Sequence, residues 1–70
     1  MPLLMADLGG SYVIQRVNAR NNEMHRHLES LGLVPGCTVQ VVSKNSSGII
    51  LNVKESRVAL SRELAAKVLV

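Results

Sequence analysis

The sequence predicts a mainly β fold: a small, strongly bent barrel of about five strands, with one short α-helix inserted after the first strand and a helical turn before the last. Three observations carry this. Residues Leu28–Val42 spell a helix end, a tight turn and a strand without a gap. Hydrophobic residues make up 47% of the chain with Tyr12 as the single aromatic, so the core is aliphatic and rich in strand-forming Val and Ile. Seventy residues also suit one domain, spanning 1–70, and a flat sheet of that size would leave an apolar face in water.

The elements follow in order. Leu4 and Leu8 lie on one side of a short turn that Gly9-Gly10 ends. Ser11–Val17 reads as the first strand; Val13, Ile14 and Val17 break strict alternation, which implies a bulge or bend. Asn18–Asn22 is a polar loop in which Asn21 or Asn22 can cap a helix, with Glu23 favourably placed in the first turn. Met24, Leu28 and Leu31 recur at helical spacing and leave His25, Arg26, Glu29 and Ser30 on the wet side.

Gly32 stands where a helix stop needs a left-handed residue, so that Leu33 can fold back on Leu28 in a Schellman cap. Val34-Pro35-Gly36 suits a type II turn: proline presets φ and glycine supplies φ > 0. Cys37–Ser43 alternates as a strand, Lys44–Gly48 is a loop by composition, and Ile49–Lys54 and Arg57–Leu60 form the next strands around a reversal near Glu55-Ser56. Ser61 caps a helical turn over Arg62–Ala66, and Lys67–Val70 closes the chain as an edge-pairing strand. The expected core is Leu28, Leu31, Val39, Val41, Leu51, Val53, Val58, Leu60 and Val68.

Composition excludes several functions. One cysteine excludes an internal disulfide and gives no support for secretion. Met-Pro-Leu-Leu-Met-Ala at the N-terminus has neither a basic leader nor a long apolar run, so the expectation is a soluble cytoplasmic domain. The net charge of +3 is scattered, without the clustered basic residues or stacking aromatics of a nucleic-acid reader. Gly9-Gly10 lacks the downstream Gly-Lys-Ser/Thr of a phosphate loop, and no two carboxylates are spaced for acid–base work, so no catalytic residue and no cofactor is expected.

His25 and His27 invite a metal reading, but helical residues two apart point to different faces. Cys37 reads as a small hydrophobe, and Met5 and Met24 as core gap-fillers. No metal ligand is expected.

The run Arg26-His27-Leu28-Glu29-Ser30-Leu31-Gly32-Leu33-Val34-Pro35-Gly36-Cys37-Thr38-Val39-Gln40-Val41 resembles the signature of the FeoA family, Arg-Leu-x-x-Leu-Gly-Leu-x-Pro-Gly-x-x-Val-x-Val, with His27 inserted between Arg and Leu. Val58–Ala65, followed by Val68 and Val70, is similar to that family's Ala-Leu-x-x-x-x-Ala ending. Tyr12 and Asn18 depart from glycines common in the family; asparagine tolerates left-handed φ, so the second change is mild. The resemblance implies an SH3-like barrel and a small, bacterial, non-catalytic accessory protein of ferrous iron uptake. The partner it implies is the membrane permease FeoB, with its cytosolic GTPase part, and direct membrane insertion is not expected.

The same barrel also resembles the C-terminal domain of iron-dependent repressors. Two alternatives therefore stand beside the accessory role: a stand-alone regulatory module sensing iron or a peptide, and a small RNA-binding barrel suggested only by the basic balance. For an adaptor, the expected partner-binding surface is Arg26, Leu33, Val34 and Pro35, where a rigid apolar ridge lies beside a positive charge.

Overall fold

The computed structural model describes residues 1–70. Six strands and two short helices follow a 3-10 turn at Leu3–Met5: β1 (Ser11–Val13), β2 (Arg16–Val17), α1 (Asn22–Ser30), β3 (Thr38–Asn45), β4 (Gly48–Val53), β5 (Ser56–Ser61), α2 (Arg62–Lys67) and β6 (Val68–Leu69). A four-stranded antiparallel sheet of order β1-β3-β4-β5 meets a two-stranded sheet, β2-β6. This is the bent, mainly β architecture that the sequence predicts.

The expected single strand over Ser11–Val17 is two strands in different sheets. Its irregular apolar pattern has a physical cause. Val13 is exposed and Ile14 is buried next to it, so the chain turns a corner there; the Ile14 N–H donates to the Cys37 carbonyl oxygen and the Gln15 N–H to that of Leu69. The corner is how this chain bends its sheet, and it raises the strand number to six.

β3 begins at Thr38 rather than Cys37 and runs on to Asn45, with a register shift against β4 between Val41 and Ser43. The expected Lys44–Gly48 loop contracts to a tight reversal at Ser46-Ser47. Asn45 makes that possible: its Oδ1 accepts from the Ser47 N–H at 2.8 Å, the Ser47 hydroxyl at 2.7 Å and the Gly48 N–H at 3.0 Å. Composition marks the turn, but only this side-chain bonding sets its length.

The core is one aliphatic cluster. All the expected positions are fully buried except Leu31, which is half-buried at the helix end. The cluster also takes in Leu3, Ala6, Ile14, Leu33, Ile49 and Ala65. At the N-terminus Leu4 and Leu8 do not share a surrounding: Leu4 is half-buried against the cluster and Leu8 is 64% exposed, while Leu3 and Ala6 are buried. Leu4 and Leu8 would share a face on an α-helix, but the segment is 3-10, which eclipses residues three apart and so aligns Leu3 with Ala6. Met5, between them, is 68% exposed and fills no core gap; Met24 is half-buried against the cluster, as expected.

Candidate interaction surface

Helix α1 is fixed at both ends. Asn21 is its N-cap, extended at φ −147°, and its Oδ1 accepts from the Met24 N–H at 2.8 Å. Leu28 is the only fully buried residue of the helix. His25, Arg26, His27, Glu29 and Ser30 are exposed.

At the other end the predicted Schellman cap is complete. The Leu33 N–H donates to the Leu28 carbonyl at 3.0 Å and the Gly32 N–H to that of Glu29 at 2.9 Å, with Gly32 at φ 87°. The type II turn follows, with Gly36 at φ 90° and the Cys37 N–H donating to the Val34 carbonyl at 3.1 Å. This turn is tied to the sheet corner, because the Gly36 N–H donates to the Ile14 carbonyl at 2.8 Å. A helix end, a proline turn and a strand corner are thus bonded into one rigid unit.

The structure places the four expected surface residues unevenly. Pro35 is exposed on the turn and Val34 is half-buried beside it. Leu33 corrects the expectation: it is fully buried, because the Schellman geometry that folds it onto Leu28 delivers its side chain to the core. Arg26 is exposed, but its Nε reaches back toward the Asn22 carbonyl at 3.5 Å, one turn toward the helix N-terminus. It lies on the exposed helix side and is not drawn to the Val34-Pro35 turn.

His25 and His27 have separate surroundings. The His25 Nδ1 lies 2.9 Å from Glu29 Oε1, an i,i+4 pair on the solvent face with both side chains about half exposed. His27 instead faces a shallow recess between the two helices, lined also by Asn21, Glu23, Met24 and Leu64. Cys37 is half-buried, and its thiol lies 3.8 Å from the Thr38 carbonyl. No three His, Cys, Asp or Glu side chains converge.

The recess was not foreseen from sequence, because Leu64 meets Met24 only once α2 has packed. The i,i+4 spacing of Glu23 and His27 is the one signal for it that a linear reading contains.

The two sheets, the corner between them and the bonded turn define the class: a small SH3-like barrel. The model of the family described as "FeoA domain" matches residues 1–70, and the chain belongs to that family. A protein of Methanocaldococcus jannaschii provisionally named Fe(2+) transport protein A is 30% identical over 69 residues, covering 99% of this chain and 83% of its own.

Two solved structures are similar throughout. A crystal structure of an iron uptake regulatory protein, FeoA, has a TM-score of 0.88 at 30% identity, covering 97% of this chain and 91% of that one. The FeoA of Stenotrophomonas maltophilia, complexed with zinc and described as a procaryotic SH3 domain protein, has a TM-score of 0.86 at 30% identity over 99% of this chain and 87% of that one. A manganese-dependent transcriptional repressor contains the same fold at 17% identity, with 39% of its chain covered, and that likeness concerns the fold alone.

Proposed function

We propose that this protein is a non-catalytic accessory module of ferrous iron transport that works in the cytoplasm by docking on the cytosolic GTPase part of a FeoB-type permease. The observation that carries the reading is membership of the FeoA family along the whole of residues 1–70. The names of its relatives point the same way: Fe(2+) transport protein A, and a ferrous iron transport activating factor put forward for the Stenotrophomonas protein. No helix here is long and apolar enough to cross a membrane, so attachment through a protein partner is the route this reading assigns.

The docking surface in this reading is the outer part of the rigid corner, Val34 and Pro35, with Arg26 as a separate positive charge on the exposed side of α1. Leu33 supports it from below and does not touch the partner. A turn already held by backbone hydrogen bonds loses little conformational freedom on binding.

The test is capture of this protein by the purified cytosolic domain of a FeoB-type permease, comparing the wild type with Val34→Asp and Arg26→Ala. Val34→Asp should weaken capture strongly, because a carboxylate without a partner opposes burial. Arg26→Ala should weaken it mainly at low salt. Undiminished capture by a folded Val34→Asp protein would move the interface elsewhere, first to the Lys44–Gly48 reversal.

A further inference from the structure

Lys54 is the one residue other than glycine that stands in the left-handed region, at φ 58°. It opens the two-residue reversal between β4 and β5, directly after Val53, which pairs with Ser56 at the end of the ladder. A side chain with a Cβ is disfavoured in that conformation, which glycine and asparagine adopt most readily. Nothing within the chain offsets the strain. The Lys54 side chain is exposed and has no hydrogen bond, and the protein's single ion pair joins His25 to Glu29. Lys44, by contrast, donates from its Nζ to the Ala6 carbonyl at 2.7 Å.

The reversal lies at the same end of the barrel as the Val34-Pro35 turn. Val53 pairs with Val39, and its Cγ1 is 3.1 Å from where a Cβ on Gly32 would stand, so the hairpin packs on the helix stop that leads into the turn. On the opposite side of β3, Val13 pairs with Thr38. Thr38 precedes Val39 and follows the turn by one residue, so it sits between Val13 and the Lys54 reversal.

Val13 is 46% exposed, and the other large apolar side chains left in water, Met1, Met5 and Leu8, all belong to the N-terminal segment. Its position is fixed by Ile14, whose N–H donates to the Cys37 carbonyl at 2.9 Å and whose carbonyl accepts from the Gly36 N–H at 2.8 Å.

We propose that Val13 and Lys54 complete the docking surface begun by Val34 and Pro35, and that it takes a protein segment presenting an apolar side chain beside a carboxylate. This rests on the reading that the chain docks through its rigid corner. The apolar side chain covers Val13, Val34 and Pro35, and the carboxylate meets the Lys54 ammonium. Charge favours that choice: Lys54 and Arg57 flank Glu55 at the reversal, all three exposed and unpaired, which leaves one net positive charge there. The left-handed lysine is then a strained residue kept for a contact that the free chain does not make.

The test adds Lys54→Asn and Val13→Thr to the capture experiment with the permease's cytosolic domain, run at low and high salt beside thermal unfolding of each variant. Lys54→Asn removes the charge and suits the left-handed backbone, so the variant should be at least as stable as the wild type and yet bind about three- to fivefold more weakly at low salt. High salt should erase the difference. Val13→Thr keeps a β-branched side chain and the strand, and should weaken capture severalfold at either salt.

Stability and capture moving in opposite directions is what a merely structural lysine cannot produce. A clear loss of stability in Lys54→Asn overturns the proposal, because the lysine would then serve the fold. If Val34→Asp abolishes capture while folded Val13→Thr and Lys54→Asn bind like the wild type, this inference fails and the corner reading stands. No capture of the wild type, or capture undiminished in all three variants, overturns both. A change in sedimentation of the chain alone on Val13→Thr would give the face to a second copy and also overturn the proposal.

Discussion

The Leu33 N–H donates to the carbonyl oxygen of Leu28 at 3.0 Å, and both side chains are fully buried in the same cluster. One backbone bond therefore ends the helix, sets the direction of the chain toward β3 and carries a leucine into the core. This explains why the ridge expected over Leu33–Pro35 is only partly available to a partner: Leu33 at its start belongs to the fold, Val34 is half-buried and Pro35 is exposed.

Gly32 should not tolerate a β-branched side chain. It sits at φ 87°, and a Cβ there would lie 3.1 Å from Val53 Cγ1. Gly32→Val should lower the free energy of unfolding by about 2 kcal/mol or more, combining left-handed strain with crowding in the core. Urea unfolding measures it, and Gly32→Ala should lose less than Gly32→Val.

Gly48 should be more demanding than its place beside a hairpin suggests. A Cβ there would collide with the Leu60 carbonyl oxygen, which is backbone and cannot rotate away. Gly36 supplies the contrast, with φ 90° but open space around it. Gly48→Ala is expected to cost more stability than Gly36→Ala, measured side by side by thermal unfolding; the reverse order would mean that β4 and β5 separate easily at this end.

Leu60 is 3% exposed in the middle of the cluster, and Leu60→Ala removes its side chain from a core with no large ring to settle into the gap. The loss should be about 2–5 kcal/mol, enough to leave a domain of this size largely unfolded at 37 °C. Circular dichroism against temperature checks it. Asn21→Ala, which removes the helix cap, should cost only about 1 kcal/mol in the same measurement.

His25, His27 and Cys37 should not form a tight ferrous site. His25 is engaged by Glu29 on the solvent face, His27 turns toward Leu64, and the Cys37 thiol is half-buried on another element. Anaerobic calorimetric titration with ferrous ion should show no tight one-to-one binding. A tight isotherm abolished by His25→Ala or Cys37→Ser would overturn this.

The local features of this fold are legible in the chain alone. The Asn21 cap, the Gly32 stop, the Pro35-Gly36 turn and the alternation through Val39 and Val41 each depend on residues within a few positions of one another, so their types and spacing suffice. The family was legible for the same reason, since its signature lies in that run.

Contacts between distant segments set the corner at Ile14, the burial of Leu3 and Ala6, the recess between Met24, His27 and Leu64, and the closure of β6. Each depends on a partner distant in the chain: Cys37 for the corner, α2 for Leu3 and for the recess, Met1 and Pro2 for the closure of β6. The surface residues were harder to read than the core for a physical reason. Hydrophobic periodicity records which side chains leave water, whereas exposure at a turn is set by how the elements on either side dock, as Leu33 and Val34, adjacent in sequence, show by parting at the cap.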